Sequence, residues 1–401
     1  MTGITPAEAR LIEGIETGAM LDQTLDWAAI NSGTGNLPGL AAMADKLAAA
    51  FAALPGDVAL LDPAPVEVID VKGQAIPREH GRHLLVRVRP KAQRRVLLTG
   101  HMDTVFAADH PFQQCRWLDD DTLHGPGTAD MKGGIALMLS ALLAFERGAP
   151  GLGYDVLINS DEETGSKSSV GTIRDLARGK LAALTYEPAL PGGDLARARP
   201  GSGNFAVVIG GRSAHAGRNP EDGRNAVVAA ADLALRLARA ARPGLKVNPA
   251  RIDGGGPDNL VPDLAVLRFN LRPATPADAA AAQGLVDEMI AAVGRDHQVS
   301  IRLHGGFGRL PKPVAPAAER LFALVSRASE DLGQAIGWQD TGGVCDGNNI
   351  ADCGVPVIDT MGACGGQIHS PDEFLVVNSL AGRARLSALV LQRLDRGDFA
   401  P

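Results

Sequence analysis

Arg95-Val96-Leu97-Leu98-Thr99-Gly100-His101-Met102-Asp103 is an apolar run that ends abruptly in an imidazole and a carboxylate. The run reads as a buried strand, and donors placed directly after it belong to a loop at that strand's carboxyl end. The pattern recurs: residues 154–159 lead into Asp161-Glu162-Glu163-Thr164-Gly165, and residues 182–186 lead into Glu187. Between them, Gly127-Thr128-Ala129-Asp130-Met131-Lys132-Gly133-Gly134 precedes residues 135–145, which have the length and leucine content of a buried helix. Strands alternating with helices indicate an α/β layer architecture, and the carboxyl ends of its strands are where an open sheet presents functional loops.

Upstream, residues 7–53 read as helical, with apolar residues at helical spacing over 37–54 and Thr5-Pro6 as cap and first helical position. Downstream, a second pattern begins near Gly203. Residues 204–210 read as a strand, 223–241 as an alanine-rich helix, 245–252 and 264–271 as strands, 276–293 as a helix and 299–304 as a strand. That order, βαββαβ, is the ferredoxin-like unit. Pro191-Gly192-Gly193 and Leu310-Pro311-Lys312-Pro313 bracket it as linkers do. The expectation is a first domain made of residues 1–192 and 311–401, interrupted by an α+β insertion over 193–310.

The 401 residues suit two or three domains, and 45% apolar with 21% charged residues is ordinary for a globular protein. A net charge of −7 without a Lys/Arg cluster argues against a nucleic-acid partner. Cys115, Cys345, Cys353 and Cys364 show no C-x-x-C spacing, indicating neither a thiolate zinc site nor a dithiol redox motif. The first ten residues lack the pattern of a secretory signal, and no uninterrupted apolar stretch has the length of a membrane span. A soluble, cytoplasmic protein without a membrane partner is expected.

Divalent zinc-like ions favour imidazole and carboxylate ligands, and a pair held about 3.5–4 Å apart usually needs a bridging carboxylate. The segments supply the parts. His101 and His369 could serve one ion each, Asp130 could bridge, and Glu163 and Glu187 could be terminal carboxylates. Two dications set against three carboxylates and a hydroxide would be close to neutral, tolerable in a partly buried cleft. Asp103, two residues beyond His101 in extended chain, would point to the same side and accept the imidazole's other N–H. Neighbouring side chains diverge, so Glu163 is assigned to metal and Glu162 to the water as general base.

Taken singly, His-x-Asp is more often a hydrogen-bonded structural pair, and Asp161-Glu162-Glu163 a solvated acidic loop. Order and strand context favour the ligand reading. His297 and His304 compete with His369, but only His369 lies in a loop rich in glycine and polar residues. Lys132 reads as a structural ion-pair partner, since the Walker spacing is absent around it. A catalytically silent binding protein would have no need of Glu162.

These motifs resemble the M20 metallopeptidase family, and most closely its branch around glutamate carboxypeptidase. The resemblance covers residues from about 20 to 395 and rests on five segments. They are His101-Met102-Asp103-Thr104-Val105-Phe106, Gly125-Pro126 through Gly133-Gly134, Asp161 through Ser166, Tyr186-Glu187-Pro188, and Ile368-His369-Ser370-Pro371-Asp372-Glu373. It implies a zinc-exopeptidase-like catalytic domain. It also implies two divalent ions, zinc with cobalt or manganese as alternatives, on His101, Asp130, Glu163, Glu187 and His369, with Glu162 as base and a cis peptide at Asp130–Met131.

The insertion resembles the family's dimerisation domain, which implies a homodimer. Ser213-Ala214-His215-Ala216-Gly217 resembles its S-x-H-A/S-G motif, implying that His215 reaches the partner subunit's active site and stabilises the tetrahedral oxyanion. Asn259 and Arg272 match the family's substrate-binding asparagine and arginine, and a guanidinium suits a carboxylate because it offers two parallel donors. The implied activity is hydrolysis of the amide bond of a small peptide or N-acyl amino acid with a free α-carboxylate. A deacylase of the acetylornithine or succinyl-diaminopimelate type is the alternative. Cys345 departs from the pattern, which usually has serine there.

Overall fold

The apolar runs quoted above become central strands because both of their faces find apolar partners. In the computed structural model, which describes residues 3–400, the strands are β1 (Asp57–Leu61), β4 (His83–Val88), β5 (Arg95–His101), β8 (Gly153–Asn159), β9 (Ala182–Thr185) and β16 (Val357–Ile358). They form one sheet in the order β1-β4-β8-β5-β9-β16. β8, β5, β9 and β16 lie parallel, and β4 runs antiparallel to both β8 and β1.

Alternation along each strand divides the core in two. Val96, Leu98, Val156 and Leu184 join a cluster with α1 (Pro6–Ile12), α2 (Thr17–Ala28), α3 (Leu37–Phe51), α4 (Gly133–Glu146), α8 (Pro316–Asp331) and α10 (Ser379–Arg396). Leu97, Leu157 and Ala183 face the other way, against α5 (Val170–Ala177) and α9 (Asp346–Asp352). The result is a three-layer α/β/α body.

The helical stretch expected over 7–53 is three helices, because Gly14 at φ +77° and the Asn31–Asn36 turn interrupt it. Thr5 and Glu8 form a reciprocal capping box at the start of α1, as the Thr-Pro pair suggested. α4 is apolar all round because it is surrounded by core. With the turn before it, Thr128–Glu146 has the length and mean hydropathy (1.3) of a membrane span, which the sequence reading did not register. Its most apolar window is 89% buried inside the protein, the burial of a core helix. Gly134 lets α4 start hard against the sheet, since a Cβ there would lie 2.3 Å from the Tyr186 carbonyl oxygen.

A second, antiparallel sheet runs β12 (Leu245–Gly254), β13 (Leu264–Pro273), β11 (Ser202–Gly210), β14 (Ser300–Arg309). With α6 (Ala226–Arg239) and α7 (Pro276–His297) it has the ferredoxin-like strand order. Phe205, Val207, Leu267 and Phe269 pack in the cluster with these helices, so alternation leaves Asn204, Ala206, Val208, Arg268, Asn270 and Arg272 on the opposite face. A hairpin of β2 (Val66–Ile69) and β3 (Ala75–Arg78) meets that face. Arg268 donates to the main-chain oxygens of Ile69 (2.9 Å) and Asp70 (3.0 Å), and Gly73 abuts Val208.

The two chain crossings into this region pair with each other: Arg199 and Lys312 exchange main-chain hydrogen bonds of 3.1 and 2.9 Å. Beside them β10 (Leu195–Ala196) pairs with β15 (Trp338–Gln339). Both side chains converge on the buried Asp359, Arg199 Nε at 2.5 Å and Lys312 Nζ at 3.0 Å. A small sheet of β17 (Gly365–Gly366), β18 (Phe374–Val376), β7 (Thr122–His124) and β6 (Arg116–Trp117) carries the loop 367–373 between its first two strands.

Candidate metal centre

His101 is the last residue of β5, and Glu162-Glu163 form a tight turn just beyond β8. Glu187 lies two residues past β9, where the Tyr186 N–H still donates to Thr99 O at 2.9 Å. Three carboxyl ends of adjacent parallel strands therefore deliver three donors to one place. Asp130 comes from the turn preceding α4, across the cis Asp130–Met131 peptide that was expected. His369 comes from the loop 367–373, in the left-handed conformation at φ +62°.

The donors sort into two groups that share Asp130. His101 Nε2 is 3.1 Å from Asp130 Oδ1 and 3.7 Å from Glu187 Oε2. His369 Nε2 is 3.2 Å from Asp130 Oδ2 and 3.1 Å from Glu163 Oε2. Two ligands on a tetrahedral ion with bonds near 2 Å stand about 3.3 Å apart, so both groups have the spacing a small divalent cation needs. Each contains an imidazole and at least two carboxylates, the donor chemistry such ions accept. His101 is buried, whereas the His369 side chain is 55% exposed, so the centre opens to solvent on the His369 side.

Electrostatics points the same way. Burial alone would lower the His101 pKa, but Glu187, Asp103 and Asp130 hold it well above the usual imidazole range. Hydrogen bonds to Asp130 and Glu163 push His369 up to about 11. Burial would raise Asp130, yet the two imidazoles hold it far below an ordinary carboxyl. Burial and the Asp130 charge push Glu163 up to about 7. Left to one another, these groups retain protons in an anion-rich pocket, and cations would displace them.

Glu162 is buried beside this centre. Burial raises its carboxyl well above the ordinary range, and the largest opposing influence is Arg309. Arg309 stands 2.7 Å from Glu162 Oε1, donates to Glu162 O (3.1 Å) and Ser166 Oγ (2.9 Å), and lies 3.3 Å from Asp346 Oδ1. Sequence reasoning missed Arg309 and Asp346, since a lone arginine at the end of a glycine-rich strand carries no signal. It quoted Glu373 within a motif without giving it a role. That carboxylate accepts the N–H groups of Gly127, Ala129 and Asp130, each at 3.0 Å, and so fixes the Asp130 turn.

Two expectations need correction. The nearest acceptor for His101 Nδ1 is the main-chain oxygen of Asp103 at 3.0 Å, with the carboxylate at 3.4 Å. The Asp103 carboxylate instead accepts Thr34 Oγ1 (2.7 Å) and the N–H groups of Glu162 (3.1 Å) and Glu163 (3.2 Å), fastening the Glu162-Glu163 turn to the end of β5. Lys132 makes no ion pair among the described residues. Its buried ammonium, lowered to about 8 by burial, donates to Ile30 O at 3.0 Å.

His215 and Asn259 are exposed on adjoining loops joined by main-chain hydrogen bonds, and neither meets the metal groups within the chain. Arg272 donates to Asn270 Oδ1 (3.2 Å) and Gly342 O (3.1 Å). Arg199 is paired with Asp359, and Arg224 donates to Gln298, whereas Arg218 is exposed. Cys345 stands in locally for a serine, because its sulfur accepts the Gly347 N–H at 3.3 Å and caps α9.

The chain is 30% identical over 382 residues to carboxypeptidase G2 of Pseudomonas sp. (strain RS-16), covering 92% of this chain and 87% of that protein. It is 26% identical to a succinyl-diaminopimelate desuccinylase of Hahella chejuensis (strain KCTC 2396), covering 75% and 82%. Its fold matches the aminopeptidase PepT of Bacillus cereus ATCC 10987 with a TM-score of 0.72 at 21% identity, over 95% of this chain and 100% of that one. A metallo-carboxypeptidase, Sso-CP2 of Sulfolobus solfataricus, matches with a TM-score of 0.71 at 14% identity, over 94% and 99%. The sequence profile of peptidase family M20/M25/M40 matches residues 97–393, a span that takes in every donor of both groups, and the chain belongs to that family.

Proposed function

We propose that this protein hydrolyses the amide bond of a peptidyl or N-acyl amino acid bearing a free α-carboxylate. His101, Asp130 and Glu187 would hold one divalent cation and Asp130, Glu163 and His369 the other, with zinc as the physiological ion. The observation that carries this reading is the placement of one Asp130 oxygen against each imidazole, with Glu162 buried alongside. When bound, such cations lower the pKa of water and polarise a carbonyl.

The protein's own groups would do the rest. Glu162 takes the proton of the attacking water and delivers it to the leaving nitrogen. Arg309 holds Glu162 toward its ionised form and keeps it in place. Asp103 orients the Glu162-Glu163 turn through two N–H groups. Arg272 would receive the substrate carboxylate. The exposed His215 and Asn259 loops lead us to a homodimer in which they complete the partner subunit's site, His215 aiding the oxyanion. The four cysteines are free thiols, which suits a cytoplasmic compartment.

Carboxypeptidase G2 favours release of a C-terminal amino acid. The desuccinylase relatives keep deacylation of an N-acyl amino acid as the second reading. A hydrolysis screen over peptidyl and N-acyl amino acids, with zinc, cobalt and manganese loaded separately, separates them. Cleavage of none, or full turnover after rigorous chelation, overturns the proposal. Mixing inactive His215→Ala with inactive Glu162→Gln protein tests the dimer, since activity regained on mixing requires His215 to act across subunits.

A further inference from the structure

The open face of the second sheet is roofed by the β2–β3 hairpin, and between them runs a groove of about 610 Å³. A further cavity of about 240 Å³ shares Lys167, Asn204 and Gly305 with it and ends at Gly165 and Arg309. Arg309, at the end of the smaller cavity, is the residue that pairs with Glu162. Its wall also includes Asn270, which accepts from Arg272 at 3.2 Å. The combined space is of the size that holds a small organic molecule.

The lining is unbalanced in charge. Arg78, Lys167, Arg251 and Arg268 face it, with Glu67 the one acidic lining residue. Arg251 and Arg268 are both paired with Asp253, which leaves Arg78 and Lys167 without an ion pair among the described residues. Lys167 and Arg78 are both exposed to solvent, and partial desolvation with the neighbouring Arg78 lowers the Lys167 pKa, a penalty that an anion between the two would relieve. His304 lines the same wall with its Nε2 buried and unpartnered. Val68, Ile69, Ala75 and Ala206 supply apolar surface between these poles.

We infer that this groove binds a negatively charged group at the far end of the substrate, a carboxylate carried on an apolar arm and held by Lys167 and Arg78. The inference rests on the hydrolase reading above and narrows its substrate class to amides with a second anion remote from the scissile bond.

The test uses the full-length, metal-loaded protein and a series of ω-carboxyalkanoyl amino acids, each matched with the neutral alkanoyl compound of equal chain length. The wild type is expected to favour the charged member at a chain length that spans the groove. In Lys167→Ala/Arg78→Ala the ratio of kcat/KM, charged over neutral, falls by about tenfold or more, carried by KM. Lys167→Glu lowers the ratio further. Calorimetry with adipate as probe gives a readout independent of turnover, and the double variant should bind it about tenfold more weakly.

A ratio unchanged in natively folded variants, or no charge preference at any chain length, overturns the inference. So does equal adipate binding by wild type and double variant. Failure of the wild type to hydrolyse any member, with adipate binding that the double variant loses, removes the hydrolase reading and leaves the anion site standing.

Discussion

Replacing Arg309 with methionine keeps most of the side chain's bulk and deletes its charge. In the folded protein this guanidinium lies 2.7 Å from Glu162 Oε1 and 3.3 Å from Asp346 Oδ1, and both carboxylates are buried. Removing one partner of a buried pair costs about 3–5 kcal/mol, because the remaining charge is left uncompensated. Glu162 has a partial escape: its pKa is already raised, so it can take up a proton. The lower end of the range is therefore expected near neutral pH. A loss of about 3 kcal/mol corresponds to a fall in Tm of roughly 4 °C for a chain of 401 residues.

The sign with pH follows from the same groups. A carboxyl whose folded pKa lies above its unfolded value contributes stability that is complete in acid and lost as pH rises through the folded value. Deleting Arg309 raises the folded value further, so the variant's deficit should be smallest in acid and grow with pH. A base must be ionised to accept a proton, so the acid limb of kcat/KM should move to higher pH. Urea denaturation at several pH values and a pH–rate profile measure both effects, and Arg309→Lys should restore most of the limb but less of the stability. An unmoved limb, with a stability loss independent of pH, would show that Arg309 anchors the strand end and does not govern the base.

Other expectations can be checked separately. Glu162→Gln should lose about 10²–10⁴ in kcat with metal content unchanged by atomic emission. Zinc added at pH 7 to chelator-stripped protein should release about two protons, read calorimetrically in buffers of different ionisation enthalpy. The stripped protein should lose stability as pH rises from 6.5 toward about 11, since His369 is raised by its carboxylate partners and the stability it brings is complete only below its unfolded pKa. Gly134→Ala would bring a Cβ to 2.3 Å from Tyr186 O, costing about 1–3 kcal/mol in denaturation and weakening metal retention through the adjacent Glu187. Asp359→Asn should cost about 3–5 kcal/mol by the same measurement, because the buried Arg199 and Lys312 lose their shared counter-ion.

The layers of the fold were legible because burial leaves periodic marks. The runs at β5, β8 and β9 are continuously apolar since both sheet faces are covered, and the βαββαβ order was readable from alternation and helix spacing. The helical stretch near the amino terminus was read as one because Gly14 and Asn36 are weak punctuation in an alanine-rich background. The five donors were readable because each sits where a strand or a glycine-rich turn ends. What held them was not. Glu373 reaches the Asp130 turn across 243 residues, Arg309 reaches Glu162 across 147, and no local pattern encodes a contact over such separations. Asp103 shows how local reasoning goes half right: its position beside His101 was readable, but its carboxylate serves a turn 59 residues away.

That division has an energetic reason. Asp103, Asp130, Glu162, Glu163, Glu187 and Glu373 gather in one region, where Arg309 and Lys132 are the cations at hand, and Lys132 is spent on a carbonyl. Acidic charge at this density is unstable unless something positive is taken up. In the protein's own chemistry that something is protons: both imidazoles are raised, and so are Glu162, Glu163 and Glu373, the last to about 7 by burial and the Asp130 charge. Two dications would supply the same compensation in a form that leaves Glu162 free to ionise. The backbone anchors are then needed for a second purpose, since carboxylates that repel must be kept converging before any cation arrives. Three N–H groups on Glu373 and two on Asp103 do this without adding positive charge, which would compete with the metals for the same oxygens. These supports come from distant chain: Glu373 lies 243 residues from Asp130, and Asp103 lies 59 residues from Glu162.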